Sequence, residues 1–164
     1  MGRTVICPGS FDPVTFGHID IITRASSMFD HVIVGVLINM AKQPTFTIEE
    51  RIAFLNKTVG NLPNVEVVGF DGLLAMYAKQ RGATAVVRGL RAVSDFDYEF
   101  QMALTNRKLN PELDTVFLAS DASYTYLSSS IVKNVASLGG DISNFVPECI
   151  YDEIIERLNT KGNH

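Results

Sequence analysis

Five short apolar runs, rich in β-branched residues, alternate along the chain with segments that have helical periodicity. The runs are Thr4 to Cys7, Val32 to Ile38, Val65 to Val68, Ala83 to Val87 and Thr115 to Leu118. This alternation favours βαβ units, because a helix carries the chain back across the sheet between two parallel strands. We therefore predict a single Rossmann-like α/β domain over residues 1–159, with a five-stranded parallel sheet flanked by helices, and a frayed tail over residues 160–164.

The apolar spacing inside the first two long helical segments predicts which faces are buried. The first stripe consists of Ile21, Ile22, Ala25, Met28 and Phe29. The second consists of Ile48, Ile52, Leu55 and Val59. His18 falls within the first stripe, and Thr47 with Glu50 forms a capping box that specifies where the second helix begins.

The same reasoning predicts four further helices. One follows the serines at positions 128–130 and has Ile131, Val132, Val135 and Ala136 at helical spacing. A short one runs from about Leu73 to Gln80, and a longer one from about Asp95 to Leu109. The longer helix groups Phe96, Phe100, Ala103 and Leu104 on one stripe, with Glu99 at its edge. The last helix opens at Pro147, which suits the first helical position. Its buried face, which closes the domain, consists of Ile150, Tyr151, Ile154, Ile155 and Leu158.

The composition narrows the range of partners. The chain has 164 residues, of which 46% are hydrophobic and 20% charged, as is ordinary for a globular domain. A formal net charge of −4 and the lack of any basic run argue against a nucleic-acid partner. No apolar stretch approaches the roughly 18 to 20 residues that span a bilayer, and the N-terminus lacks the plan of a signal peptide. We expect a cytoplasmic protein that binds neither membranes nor nucleic acids.

The stretch Pro8 to His18 combines features of a phosphate-binding loop. It follows the first strand, carries the hydroxyl of Ser10 and enters a helix through Gly17 and His18. A helix start offers unpaired N–H groups and a positive dipole end to an anion. Taken alone, the Gly9-Ser10 turn is also compatible with a plain chain reversal, and His18 with a core histidine.

Other candidate residues follow the second, fourth and fifth strands, the edge at which open parallel sheets bind ligands. Lys42 lies in the connection from Asn39 to Phe46, which we expect beside the first loop, and Arg88 and Arg91 flank Gly89 directly after the fourth strand. Three serines, Ser128, Ser129 and Ser130, stand at a helix start. Each has a structural alternative: a solvated lysine, surface ion pairs for the arginines, a helix cap for the serines and a solvated position for Glu99.

Several chemistries are not indicated. There is no G-x-x-x-x-G-K-[ST] loop, no G-x-G-x-x-G after the first strand and no G-x-S-x-G elbow. Cys7 and Cys149 fit neither a disulfide framework nor a metal-ligand spacing, so we expect buried or inert thiols.

Thr15-x-Gly17-His18 resembles the T/H-x-G-H signature of the nucleotidyltransferase superfamily. Arg88 to Arg91, Tyr98-Glu99 and Leu127 to Ser130 sit where the phosphopantetheine adenylyltransferases of that superfamily have their own motifs. The resemblance runs from the first strand to the last helix. It implies transfer of the adenylyl group of Mg-ATP to 4′-phosphopantetheine in coenzyme A synthesis, giving dephospho-coenzyme A and pyrophosphate by direct in-line attack, with no covalent enzyme intermediate.

The resemblance also implies roles for individual residues. His18 would stabilise the transition state, with Ser10, Lys42 and Arg91 as its catalytic partners. The acceptor would be held by Ser10, Lys42, Leu74, Arg88 and Asn134. The ATP site would consist of Ser10, Phe11, Gly17, His18, Gly89, Leu90, Arg91, Glu99, Tyr124, Thr125, Tyr126, Leu127, Ser128, Ser129 and Ser130. Mg²⁺ would enter on the ATP phosphates without a protein-held metal site, and members of the family form homohexamers.

Three positions depart from the family pattern. Ser10 stands where Thr is frequent, Phe16 where Asn is common, and Asn134 where many members have a Glu that touches the pantetheine arm. Two alternatives stay open at this point: an adenylyltransferase acting on nicotinate or nicotinamide mononucleotide, and a nucleotide-binding module without catalysis.

Overall fold

The computed structural model describes residues 2–39, 41 and 43–159. The predictions for Lys42 and for the tail after residue 159 lie outside these residues. All five predicted strands are present: β1 Thr4–Gly9, β2 His31–Leu37, β3 Val65–Phe70, β4 Ala85–Leu90 and β5 Asp114–Ala119. The helices are α1 Phe16–Met28, α2 Ile48–Val59, α3 Leu74–Arg81, α4 Val93–Leu109, α5 Ser129–Ser137 and α6 Glu148–Asn159, with a 3₁₀ turn at Ala122–Tyr124.

The strands form one parallel sheet in the order β3-β2-β1-β4-β5. The chain therefore builds outward from β1 to β3, then crosses back to place β4 on the other side of β1. This reversal next to β1 is the switch point of a doubly wound sheet, where the connections on the two sides leave in opposite directions and open a crevice.

Residues of each strand alternate between two cores, as the two-residue period of a strand requires. Val5 and Cys7 of β1 face the larger core, which α1, α2, α5 and α6 cover, whereas Ile6 faces a smaller core that contains Ala75 and Ala78 of α3. The larger core confirms most of the predicted stripes. Its helical members are Ile22, Ala25, Phe54, Leu55, Val59, Val132, Ala136, Ile150 and Ile154.

Several expectations need correction. The fourth strand extends to Leu90, so Arg88 and Gly89 lie within its last residues and do not follow it. Met28 is 52% exposed because it is the last residue of α1, where the stripe turns away from the sheet. The stripe on α4 is also uncovered within the chain: Phe96, Phe100 and Leu104 are 41%, 47% and 54% exposed. The last helix begins one residue after Pro147. Of the two thiols expected to be buried or inert, Cys7 is buried and Cys149 is exposed.

The described helices include none that combines the length and apolar character needed to cross a membrane.

Candidate active site

A cleft opens at the carboxyl edge of the sheet, where β1 and β4 separate. The two strands pair only at Val5 with Ala85 and at Ile6 with Val86, whereas β1 and β2 pair along the whole of β1. Beyond these pairs the strands diverge around a cleft of about 460 Å³, a size typical of small-molecule sites. The cleft lies at the switch point of the sheet, as the strand-end reasoning predicts.

The structure brings most of the sequence-predicted residues together in this cleft. Those that line it are Ser10, Phe11, Gly17, His18, Arg88, Gly89, Arg91, Glu99, Tyr124, Leu127, Ser128 and Ser129. Thr15 of the Thr15-x-Gly17-His18 signature lines it as well, and so do Ser94, Asp95 and Ser120, which were not predicted as site residues.

Several other predicted residues lie outside the wall of the cleft. From the ATP set these are Leu90, Thr125, Tyr126 and Ser130. From the acceptor set, Leu74 packs against the smaller core on the other face of the sheet, and Asn134 is exposed on α5. The placement of Lys42 is not among the described residues.

The first loop contains one residue with a strained backbone, and the helix that follows it begins with an unusual cap. Phe11 has a φ of 48°, a left-handed conformation that is costly for a bulky residue, and it is buried with its ring edge-on to His18, 5.0 Å between centroids. At the start of α1, Thr15 and His18 form a reciprocal capping box. His18 thus takes the place of the usual Glu or Gln.

This cap fixes the tautomer of His18. The Thr15 N–H donates to His18 Nδ1 at 3.0 Å. Because a backbone N–H can only donate, Nδ1 must accept, and the proton of the neutral ring is then on Nε2. Nε2 has no hydrogen-bond partner among the described residues, and the ring lines the cleft. His18 therefore presents an N–H donor to whatever occupies the cleft.

The surroundings of His18 keep its ring neutral. Burial, with further contributions from the positive charges of Arg88 and Arg91, lowers the pKa of His18 from 6.5 to about 4. Both causes disfavour the charged imidazolium. At neutral pH the ring is an uncharged donor that experiences the positive charges of both arginines.

Arg88 is fixed by a two-point ion pair inside the cleft. Its Nη2 lies 2.6 Å from Glu99 Oε1 and its Nε 3.0 Å from Oε2, while Nη1 donates to the Pro8 carbonyl at 2.9 Å. Burial alone would lower the pKa of Arg88, but the hydrogen bonds and charge of Glu99 outweigh it and raise the pKa above its ordinary value. Three of the five guanidinium N–H groups are used in this way, which leaves two for a ligand.

In another part of the cleft wall, Arg91 is hydrogen-bonded to the segment before α5. Arg91 Nη1 donates to the Leu127 carbonyl at 3.0 Å, and its side chain also pairs with Asp95. Gly89 between the arginines has a packing reason, because a Cβ there would lie 2.9 Å from the side chain of Ile21. The serine run acts partly as a helix cap, which was its structural alternative, because Ser128 caps α5. Ser129 Oγ donates to the Pro13 carbonyl at 2.7 Å.

Comparisons with known proteins agree with this geometry. The model of the cytidylyltransferase-like family matches residues 6–135. A phosphopantetheine adenylyltransferase of Caldanaerobacter subterraneus subsp. tengcongensis is 56% identical over 95% of this chain and 98% of its own length. Another, of Lachnoclostridium phytofermentans, is 54% identical over 95% of this chain and 96% of its own. The chain belongs to the phosphopantetheine adenylyltransferase family.

A solved structure shares the fold of this adenylyltransferase family member at low identity. A putative nicotinate-nucleotide adenylyltransferase from Vibrio parahaemolyticus superposes with a TM-score of 0.70, at 19% identity and with 96% of both chains covered. The likeness shows that the sheet and its helices are common to both proteins.

Two buried charged residues beside the cleft were not predicted from the sequence. Asp12 is 7% exposed and Arg51 is 4% exposed. For Arg51 a signal existed, because it stands at helical spacing between Ile48 and Leu55 on the predicted apolar face of α2. A charge on such a face requires partners that only the folded chain can supply.

The described part of the chain contains no group of three His, Cys, Asp or Glu side chains arranged to hold a metal ion. The cleft instead offers hydroxyls, guanidinium groups and helix N-termini, a donor set that suits phosphate oxygens.

Proposed function

We propose that the chain transfers the adenylyl group of Mg-ATP to 4′-phosphopantetheine, giving dephospho-coenzyme A and pyrophosphate. The observation that carries the proposal is the neutral His18, with its Nε2–H directed to the cleft and Arg88 and Arg91 close enough to affect its charge state. The relatives at 56% and 54% identity, named for this activity, support the acceptor. Adenylyl transfer makes charge at the α-phosphate, and fixed donors there lower its barrier.

The reaction needs no protein nucleophile. An oxygen of the acceptor phosphate attacks the α-phosphorus of ATP and forms a new phosphoanhydride bond, while the bond to the β-phosphate bridge breaks and its electron pair leaves with pyrophosphate. The acceptor phosphate is already an anion at neutral pH, so no base is required. The protein contributes alignment and charge stabilisation.

His18 and its neighbours divide this work. The Nε2–H of His18 donates to a non-bridging oxygen of the α-phosphate, where charge develops, and Arg91 supports the same phosphates. The Ser10 hydroxyl contacts the phosphates of both substrates. Lys42 and the two remaining N–H groups of Arg88 hold the acceptor phosphate, and Leu74 and Asn134 meet the pantetheine arm. The side of the cleft that contains Tyr124, Leu127, Ser128 and Ser129 takes the nucleotide.

Magnesium belongs to the substrate in this proposal. Mg²⁺ bound to the ATP phosphates neutralises the charge that builds on pyrophosphate as it leaves. We place the reaction in the cytoplasm, where ATP is supplied, with no nucleic acid or membrane as partner.

We also propose that the chain works as a homohexamer. The support is α4, on which Phe96, Phe100 and Leu104 stand four residues apart and are 41%, 47% and 54% exposed. Contiguous apolar surface of this kind marks an interaction site. Sedimentation of the purified protein should give the mass of a homohexamer, and a monomer at micromolar concentration would contradict the proposal.

Pyrophosphate release from Mg-ATP, measured with each acceptor in turn, tests the function. Release with 4′-phosphopantetheine and not with nicotinate or nicotinamide mononucleotide supports the proposal. Release with a mononucleotide alone would reassign the acceptor. ATP binding without release for any acceptor would identify a binding module in place of an enzyme.

A further inference from the structure

Arg51 on α2 is a buried cation that pairs with carbonyl groups. Its Nη1 donates to the Ser10 carbonyl at 2.9 Å and to the Leu37 carbonyl at 3.3 Å. Its Nε donates to the Phe46 carbonyl at 3.1 Å. Among the described residues, no carboxylate lies within ion-pair distance of Arg51. One guanidinium thus joins the first loop to both ends of the connection between β2 and α2.

Asp12 also binds this connection, through its backbone N–H groups. Its carboxylate accepts the backbone N–H groups of Thr45 and Phe46, each at 2.9 Å. Lys133 on α5 lies 3.3 Å from Asp12 Oδ2 and balances the charge. The Thr45 carbonyl accepts from Arg157, and the Phe46 carbonyl from Arg51. Side chains therefore satisfy every backbone donor and acceptor of Thr45 and Phe46, as a buried non-sheet segment requires.

We propose that Arg51 is a positioning residue for the acceptor side of the cleft. Its guanidinium, together with the Asp12 carboxylate, holds the Ser10 loop and the ends of the β2–α2 connection in one arrangement. This inference rests on the proposed function, because that connection contains Lys42, to which we assign the acceptor phosphate. Among the described hydrogen bonds, Arg51 makes none to Gly89, Arg91 or the start of α5, which we assign to ATP alone.

The choice of arginine supports a positioning role over a purely structural one. A buried cation with only neutral partners is costly, and the neighbours of Arg51 on the same face of α2 are apolar. A planar guanidinium, unlike an apolar side chain, reaches three separate chain segments at fixed angles. Those segments are the strand-end connections that frame the acceptor side.

Arg51→Lys tests the proposal in steady-state kinetics, because lysine keeps the charge but loses the fork. We expect the KM for phosphopantetheine to rise about ten- to a hundredfold and the KM for ATP to change far less, since small misplacements of a reacting group are costly. The matched control is Arg81→Lys, a half-buried arginine of α3 that pairs with Glu66 at the opposite edge of the sheet. Equal effects on both KM values, or an effect no larger than that of the control, would overturn the proposal.

A double-mutant cycle with Lys42→Ala separates positioning from general loosening. If Arg51 acts through the connection that carries Lys42, Arg51→Lys has little further effect on the phosphopantetheine KM in the Lys42→Ala background. Additive effects in the two backgrounds would contradict this.

Amide hydrogen exchange gives an answer that does not depend on turnover. Arg51→Lys should accelerate exchange at Thr45 and Phe46, whose N–H groups it does not contact, and leave the amides of β4 and α5 unchanged. Wild-type exchange at Thr45 and Phe46 would overturn the positioning role. Accelerated exchange in a protein that does not use phosphopantetheine would instead place the failure with the proposed function.

Discussion

The two edges of the sheet each hold an arginine–glutamate pair, and the pairs look alike. Arg88 and Glu99 approach to 2.6 Å at the carboxyl edge, and Arg81 and Glu66 approach to 2.6 Å at the amino edge. The glutamate raises the pKa of the arginine against the effect of burial in both cases. A histidine stands near each pair: His18 beside Arg88, and His31 bonded to Glu66.

The surroundings of the two ion pairs differ, and this difference is our reason to expect a functional role for one pair and a structural role for the other. At the carboxyl edge the strands part, and Arg88 lines the cleft with spare N–H groups beside a neutral His18. At the amino edge, Arg81 donates hydrogen bonds to Glu66 and to the Tyr77 hydroxyl, and its guanidinium lies over the Tyr77 ring. Equal distances within the two ion pairs therefore do not indicate equal roles. The position of a pair relative to the carboxyl ends of the strands is the better guide to a ligand-binding role.

Substituting the histidine beside each ion pair should give the largest difference in kcat between the two edges of the sheet. His18→Asn keeps a side-chain acceptor for the Thr15 N–H but removes Nε2. We expect kcat to fall about 10²- to 10³-fold, the usual cost of losing one transition-state donor, with ATP affinity nearly unchanged. His31→Asn at the amino edge should leave kcat at the wild-type value. Steady-state kinetics and ATP titrations check both, and a near-normal rate for His18→Asn would remove the residue from the mechanism.

Arginine-to-lysine exchange sharpens the same comparison. Arg88→Lys loses the two-point contact with Glu99, and we expect the KM for phosphopantetheine to rise about ten- to a hundredfold, which corresponds to about 1.5–3 kcal/mol for a charge-assisted hydrogen bond. Arg81→Lys should leave both KM values unchanged and alter the free energy of unfolding by at most about 1 kcal/mol, because its pair is partly solvated. Equal kinetic losses in the two variants would show that the edges are not functionally distinct.

The pH dependence of stability gives the smallest expected effect. The folded protein keeps His18 neutral down to pH about 4, whereas the unfolded chain binds a proton there below pH 6.5. The free energy of unfolding should therefore decrease as the pH falls from 6.5 towards 4.

Chemical denaturation across this range measures the decrease, and His18→Asn is the control. Removing the titrating ring should flatten the dependence by about 1–2 kcal/mol, an amount discounted because the side chain is only half-buried. Identical curves for the wild type and His18→Asn would mean that the surroundings of His18 do not shift its pKa as described.

Local signals in the sequence predict the fold and the location of the site. β-branched runs and helical spacing give the strands, the helices and the parallel sheet, and the rule on strand ends gives the edge that carries the cleft. Arg88 is conspicuous as a charged residue near the end of a strand, and His18 as a titratable residue in the first turn of the helix after the first loop. The capping box of α2 is predicted from Thr47 and Glu50 and is present in the structure.

Long-range contacts explain what the sequence did not predict. Asp12 meets Thr45 and Phe46, and Arg51 meets Ser10, across more than thirty residues of chain, so no local pattern announces them. The exposed stripe of α4 has helical spacing like that of a buried helix, and spacing cannot say which neighbour covers it. The His18 cap is local, but it uses a residue that the usual capping rule does not contain.

The central claim is that the cleft transfers the adenylyl group directly, with His18 and the arginines holding the phosphates and no residue forming a bond to the nucleotide. The stereochemical course at the α-phosphorus tests this most directly. With ATP made chiral at the α-phosphorus by thio and oxygen-isotope substitution, and phosphopantetheine as the acceptor, a single in-line displacement gives inversion in the dephospho-coenzyme A analogue. Retention of configuration would show an even number of displacements through an adenylylated protein and would contradict the account.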